Sequence, residues 1–340
     1  MTDPTPILTD ASAIRQRMHE KSISAIASTF PLTLRNGTLE VQDLKVVSRQ
    51  FSPIDQYNAL MREGTLQEAV KGTLILKDKE GKVVDTAKNF TLVHVPHLTE
   101  RHTLIMGGNE YQVANQLRRK PGVYTSRADN GELRAIFNLG RGSNFNLGFT
   151  PDKGTFHVQL GTSNIPLYPV LRAAGVSHET IAHHLGDAVA KANQTYHGKE
   201  EEKATGKLYA KLEHPALFKA DLPHAEKVEA IRKKWDVTTL DPHVTEATLG
   251  TAYSKVTPEA LLTAARKVLD VHAGHKTTDD TDALTYKTFH SLDDFLHERI
   301  KLTARAWGPK AKLALATKGT IREALRPAPF SDGVRKFITT

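Results

Sequence analysis

Three adjacent cations, Arg118, Arg119 and Lys120, form the densest candidate site in the sequence, within the segment NEYQVANQLRRKPGVY. An arginine guanidinium presents planar pairs of donors that suit phosphate oxygens. Pro121 fixes one backbone dihedral and Gly122 permits a sharp exit, so the cations are expected on a defined corner. The alternative is a solvated charge run, which is the usual fate of such triplets.

A carboxylate string, TTDDTDAL, is the second candidate site, because Asp279, Asp280 and Asp282 resemble part of a divalent-metal loop. A calcium loop of the EF-hand type needs further oxygen ligands, a central glycine and a closing glutamate at fixed offsets, and the string lacks them. The sequence therefore favours a soluble polar connector here.

Histidines could also bind a metal ion, and they occur in two groups. The groups are His94, His97 and His102, and His178, His183, His184 and His197. His183 and His184 are adjacent, so they point to different faces of a helix and do not easily join one cluster. We expect surface or partly buried histidines and no metal site. The chain has no cysteine, which excludes thiolate zinc sites and disulfides.

No catalytic motif is apparent: the sequence has no GxxxxGK[ST], no GxSxG and no HExxH. The formal charge of +8 and the pI near 9.4 favour a polyanionic partner without naming one. No stretch approaches the roughly 18 apolar residues of a membrane helix, and the N-terminus lacks the features of a secretory signal. We therefore expect no contact with a membrane.

The elements that must position these residues indicate an α+β fold. A helical N-terminus is followed by alternating strands from Leu39, by a hairpin that turns near Gly81, and by hairpins at Asn130-Gly131 and at residues 151–154. Glu110 to Leu117 is predicted to be a short helix that buries Val113, Ala114 and Leu117. After Ile165 the pattern becomes helical, and one helix is predicted from the Ser177 cap to Gln194.

The segment IMGGNEYQVANQLRRKPGVY resembles a hallmark of the β subunit of multisubunit DNA-directed RNA polymerases. Nine of its residues stand where the family has the same ones: Gly108, Glu110, Val113, Gln116, Leu117, Arg119, Pro121, Gly122 and Val123. GRGSNFNLGFTPDKGTFHVQL, IPLYPVLRAAGVSHETI, DDTDALTYKTFHSLDDFLHERI and LRPAPFSDGVRKFI are similar to further family segments in the same order. The resemblance covers roughly residues 39–186 and 279–338.

The resemblance implies a protrusion-like domain of residues 1–117 and 290–340. It also implies a lobe-like domain of residues 118–289 with a mainly helical insert at about 190–275. The arrangement looks like the split β subunits of large-genome bacteriophages. The expected partners are the C-terminal β-like fragment, the β′-like fragments, the DNA template and the RNA–DNA hybrid. The expected location is the host cytoplasm during infection, with packaging in the virion as the alternative.

In this family the catalytic lysines, the nucleotide-contacting carboxylates and the magnesium-binding aspartates lie outside the segment that the chain resembles. We therefore expect no catalytic residue and no cofactor in this chain, with Mg²⁺ bound by another subunit of the assembled enzyme. The expected nucleic-acid contacts are Gln116, Arg118, Arg119, Lys120, Arg141 and Lys287. In the family the chain continues directly beyond the last matched helix. We therefore expect residues from Pro327 to be poorly ordered alone, with Phe330, Val334, Phe337 and Ile338 uncovered.

A rival function belongs to another class: a non-enzymatic architectural DNA-binding or virion protein that kept a polymerase-derived domain. The genes beside this one distinguish the two. Separate chains that carry the remainder of β and the aspartate triad of β′ would support the polymerase.

Overall fold

A computed structural model describes residues 10–194, 199–213, 218–219 and 221–339. The chain divides into two compact units. The first unit comprises Met1–Leu117 and Phe289–Thr340, and the second comprises Arg118–Thr288. Helices and antiparallel sheets are both abundant, so the predicted α+β class is confirmed.

A four-stranded antiparallel sheet forms the centre of the first unit, in the order β1 (Leu32–Leu34), β2 (Gly37–Val47), β3 (Gln67–Asp78) and β4 (Val83–Pro96). The alternation in the sequence becomes alternating burial along β3, where Val70 and Leu74 are fully buried. The register of β2 shifts between Gln42 and Lys45, a β-bulge that accommodates Asp43 at positive φ.

Helices cover this sheet and complete its core. They are α1 (Ala11–Ala27) and, after the second unit, α10 (Leu292–Thr317), α11 (Ile321–Ala324) and α12 (Ser331–Thr339). The short α2 (Pro53–Met61) belongs instead to a small separate cluster, in which Ala59 is buried with Leu66 and Ile105. Ser52 and Ser291 form capping boxes at the starts of α2 and α10.

The C-terminal helix α12 is covered by the chain itself, so the expectation that its apolar residues are uncovered is wrong. Phe330, Val334 and Ile338 are buried in the same core cluster as α1 and β4, and Phe337 is partly buried against it. The Phe330 N–H donates a 3.2 Å hydrogen bond to the Leu92 carbonyl. The amphipathic pattern of α12 therefore finds its apolar partner within the first unit.

The predicted helix from Glu110 to Leu117 is also wrong. β5 (Leu104–Met106) and β6 (Asn109–Tyr111) form a hairpin around Gly107 and Gly108, both at positive φ. An irregular segment leads into β7 (Gln116–Arg119), and Leu117 is 56% exposed. The chain reverses direction at the two glycines, so that β6 pairs with β5. On β6, Glu110 accepts hydrogen bonds from the Arg101 guanidinium. Local cross-strand pairing thus outweighs the weak helical periodicity.

The second unit is built on a five-stranded antiparallel sheet. Its order is β12 (Ser163–Pro166), β11 (Thr155–Leu160), β10 (Phe145–Thr150), β9 (Leu133–Asn138) and β8 (Gly122–Arg127). Both predicted hairpins are present. One turns at Asn130-Gly131, and the other turns through a short 3₁₀ segment, Pro151–Lys153, that ends at Gly154 with φ of 62°.

In the described residues of the second unit, seven helices accompany this sheet. They are α3 (Leu167–Ala173), α4 (His178–Leu185), α5 (Asp187–Asn193), α6 (Lys199–Leu212), α7 (His224–Asp236), α8 (Pro242–Leu249) and α9 (Pro258–His272). The single helix predicted after Ser177 is divided into α4 and α5, because Gly186 adopts a φ of 84°. α9 supplies eight buried residues and packs on the sheet. β13 (Lys287–His290) then pairs with β7 in a two-stranded sheet.

Candidate nucleic-acid interface

The Arg119 side chain on β7 is held by an aromatic ring. Its guanidinium carbon lies 5.3 Å from the centre of the Tyr124 ring, a cation–π contact. A guanidinium placed over a ring still directs donors outward in its own plane. Among the described residues no carboxylate pairs with Arg119. The geometry is that of an oriented cation that is available to an anion.

The backbone at Lys120 is fixed on both sides. Its carbonyl accepts hydrogen bonds from the Tyr124 hydroxyl at 2.9 Å and from the Asn138 side-chain amide at 2.8 Å. Its N–H donates to the Tyr286 carbonyl at 2.8 Å. Tyr124 is fully buried, its ring meets Tyr286 edge-on at 5.5 Å, and burial raises the pKa of its hydroxyl. The tyrosine therefore stays neutral and serves as a donor.

The Pro121-Gly122 corner rests against the start of α8, which the sequence alone did not indicate. The Asp241 N–H donates to the Pro121 carbonyl at 3.3 Å. A Cβ atom at Gly122 would lie 2.3 Å from a methyl group of Val244, so only glycine fits this approach. The helical insert thus packs against Pro121 and Gly122, next to the three cations. In the sequence, Gly122 was the only residue that indicated this close contact.

The other predicted contacts lie on neighbouring segments. Gln116 is exposed on β7, and Arg118 is partly exposed and already engaged with another part of the chain. Arg141 is exposed in a loop whose Gly140 packs so closely on Pro121 that a Cβ there would lie 2.9 Å from the proline ring. Lys287 begins β13, the partner strand of β7. Gln116 and Arg118 thus share β7 with Arg119, Lys287 lies on the strand paired with β7, and Arg141 follows the glycine that packs on Pro121.

Lys287 differs from the rest because its charge is already paired. Its amino group lies 3.2 Å from the Asp282 carboxylate, and its side chain is only 16% exposed. Asp282 is itself 89% exposed, so this pair is screened by water and is weak. Lys287 is accordingly a less available cation than Arg119.

Asp279 in the carboxylate string is a structural anchor, so the interpretation as a solvated connector is wrong for this residue. Its carboxylate lies 2.6 Å from the Lys267 amino group and accepts a 2.7 Å hydrogen bond from the Thr125 N–H. Lys267 is only 7% exposed and also donates to the Thr248 carbonyl. The contact ties the connector to α9 and β8. Asp280 and Asp282 are exposed, as expected of a connector.

The predicted histidine groups are not assembled into a metal site in the described part of the chain, where no cluster of three or more His, Asp or Glu residues could hold an ion. His178 instead shares a 3.0 Å hydrogen bond with the Tyr168 hydroxyl. His197 lies outside the described residues. Of the helices in the described residues, none combines the length and the apolar character that membrane crossing requires.

Comparison with known sequences identifies the family to which this chain belongs. Residues 119–288 match the family described as RNA polymerase Rpb2, domain 2. The chain therefore belongs to the Rpb2 domain 2 family of RNA polymerases, and it corresponds to the N-terminal part of a DNA-directed RNA polymerase β subunit. The matched range includes the helical insert, for which the sequence had suggested no relative.

The relatives are themselves polymerase β subunits. The chain is 26% identical over 301 residues to the β subunit of Synechococcus sp. strain RCC307, covering 82% of this chain and 27% of the relative. It is 23% identical over 317 residues to the β subunit of Thermosynechococcus vestitus, covering 88% and 28%. In Mesomycoplasma hyopneumoniae strain 7448 the identity is 26% over 193 residues. The chain thus spans about a quarter of the length of the first two relatives.

Proposed function

We propose that the chain is the N-terminal fragment of a split β-like subunit in a bacteriophage multisubunit RNA polymerase, and that it forms one wall of the channel that holds DNA and the RNA–DNA hybrid. The observation that carries this proposal is the oriented basic strand β7 within a chain of the Rpb2 family. The other polypeptides of the assembly would be a C-terminal β-like fragment and β′-like fragments. The assembly would work in the host cytoplasm during infection or be packaged in the virion.

The chemistry of the proposed enzyme is nucleotidyl transfer, in which the RNA 3′-hydroxyl attacks the α-phosphate of an incoming nucleotide and pyrophosphate leaves. Mg²⁺ would stabilise the attacking and leaving oxygens, and the proposal assigns its binding to another subunit. The part of this chain is positional. Arg119 and Lys120 would meet backbone phosphates, which fixes the register of the nucleic acid without reading its sequence.

Charge removal on β7 tests the proposed contact. We expect R118Q/R119Q/K120Q to make the slope of log affinity against log salt shallower by up to about 2.7 for duplex DNA, because each lost phosphate contact contributes about 0.9. Start-site choice by the assembled enzyme should not change. The matched control is K203Q/K207Q/K211Q, which removes the same charge from exposed positions on α6. Equal slopes for the two variants would remove support for the basic strand as a phosphate contact.

The isolated chain should have no polymerase activity, because the residues expected to perform catalysis belong to other polypeptides. Primer extension with template, Mg²⁺ and nucleotides measures this directly, and the reconstituted assembly is the positive control. Extension by the chain alone would contradict the proposal. A reconstituted assembly that is equally active without this chain would favour the rival, an architectural or virion DNA-binding protein.

A further inference from the structure

A second basic surface lies on the first unit, along the C-terminal half of α10. Between Arg299 and Arg322 the sequence contains seven cations and no Asp or Glu. The cations are Arg299, Lys301, Arg305, Lys310, Lys312, Lys318 and Arg322. An ordinary solvated helix carries charges of both signs, whereas this run is entirely positive. The positions of the cations around the helix show which of them could contact one ligand.

Three of these cations form one row, which we call the α10 row: Lys301, Arg305 and Lys312. In a regular helix, at about 100° per residue, they fall within about 40° of one another around the axis, and Pro309 lies inside the helix between Arg305 and Lys312. By the same count the buried residues Ile300, Ala304 and Gly308 lie about 20–100° to one side of Lys301, so the row borders the buried stripe. Arg305 and Lys312 are exposed, and Lys301 is partly exposed.

The charges of the α10 row are uncompensated. Within the described residues, none of its three side chains makes an ion pair or a hydrogen bond, whereas Lys318 donates to the Glu323 carbonyl and Arg322 to the Lys88 carbonyl. Lys318 and Arg322 are therefore already engaged by backbone carbonyls, whereas the three cations of the row are not. The charges of the row stay hydrated and carry no desolvation penalty, and they remain available to a polyanion.

The dimensions of the row suit a duplex backbone. From Lys301 to Lys312 the helix rises about 16 Å at 1.5 Å per residue. Measured along the duplex axis, that length spans about five base pairs at 3.4 Å each. A single strand is usually held by exposed aromatic rings that stack on bases. The sole aromatic residue between positions 299 and 322 is Trp307, which packs inward against Phe30 and Phe330.

We infer that the α10 row is a second nucleic-acid contact, which binds the phosphate backbone of double-stranded DNA independently of base sequence. The choice of DNA as the polyanion rests on the proposed function, but the residues of the row all lie on α10 in the first unit and none of them is on β7. Leu302 and Leu313, 44% and 70% exposed, lie beside the row. Because these leucines are apolar and exposed, the alternative ligand for this surface is a protein.

The experiment measures binding of the full chain to fluorescein-labelled duplex DNA by anisotropy across a salt series. Four proteins are compared: the parent chain, K301Q/R305Q/K312Q, the β7 triple variant, and the α6 triple variant that removes the same charge elsewhere. Thermal unfolding confirms that each variant is folded. We expect the α10 variant to flatten the log–log slope by about 2.7 for three lost phosphate contacts, and the α6 variant to leave it unchanged.

The outcomes separate the two contacts. A flattened slope for the α10 variant alone supports the row and counts against β7, whereas a flattened slope for the β7 variant alone overturns the row. Equal slopes for the α10 and α6 variants would show a net-charge effect and would also overturn it. The same measurement is made with a single-stranded oligonucleotide of the same length. If the α10 variant loses as much affinity for the single strand as for the duplex, the assignment to duplex DNA is wrong.

Discussion

At the scale of single residues, Glu68 is a buried carboxyl group that the sequence did not indicate. It is 3% exposed, and its carboxylate accepts hydrogen bonds from the Ser48 hydroxyl and the Arg49 N–H. His19 lies 2.8 Å from the other oxygen, and His97 lies 3.6 Å from it. Burial opposes ionisation, but these contacts outweigh it and hold the pKa of Glu68 well below its ordinary value.

The depressed pKa of Glu68 predicts a pH dependence of stability. A carboxyl group whose folded pKa is lowered stabilises the fold above its unfolded pKa of about 4.3, and this contribution is lost as the pH falls toward the folded pKa. Glu68→Gln should lower the free energy of unfolding at pH 7 by about 1.5–3 kcal/mol. As the pH falls below about 4.3, the variant should also lose less stability than the parent does. Denaturant titrations at several pH values measure both effects.

The matched control for Glu68 is Glu100→Gln. The Glu100 side chain is 74% exposed, although it pairs with Arg15 at 2.9 Å, so removing its charge should change stability little. If the parent and Glu68→Gln lose equal stability between pH 6 and pH 3.5, the Glu68 network does not produce the predicted pH dependence.

At the scale of elements, α12 shows how a C-terminal helix becomes part of the core. Phe330 is fully buried and its ring meets Trp307 edge-on at 5.2 Å. Phe330→Ala should therefore cost about 3–5 kcal/mol and should expose the backbone of residues 327–339 to hydrogen exchange. Arg335→Ala, at a side chain that is 65% exposed, is the control and should leave protection unchanged. Rapid exchange of this segment in the parent chain would contradict the packing.

At the scale of the whole molecule, the proposed function assigns the remainder of β and β′ to other polypeptides of the assembly. A tagged chain purified from infected cells should bring down chains that correspond to the remainder of β and to β′, identified by mass spectrometry. The β7 variant should bring down the same set, because its charges face nucleic acid in the proposal. Purification of the tagged chain with virion structural proteins alone would favour the rival function.

The sequence by itself determined most of the secondary structure. Turn chemistry is local, so Asn130-Gly131 and the segment before Gly154 predicted two hairpins, and Ser177 predicted a helix start. The resemblance in residues 105–124 indicated the polymerase β family, which the comparisons bear out. Both kinds of information depend on residues that are close in sequence.

Only the tertiary structure decided which polar side chains are structural. Glu68 and Asp279 lie far in sequence from His19 and Thr125, and they become anchors only because folding brings these groups together in a buried setting. The same reason explains two of the predictions that were wrong. The 109–119 segment pairs as strands because of the partners it meets, and α12 is covered because α10 and β4 present an apolar surface to it. A buried contact between distant residues leaves no local periodicity, so single-sequence patterns do not reveal it.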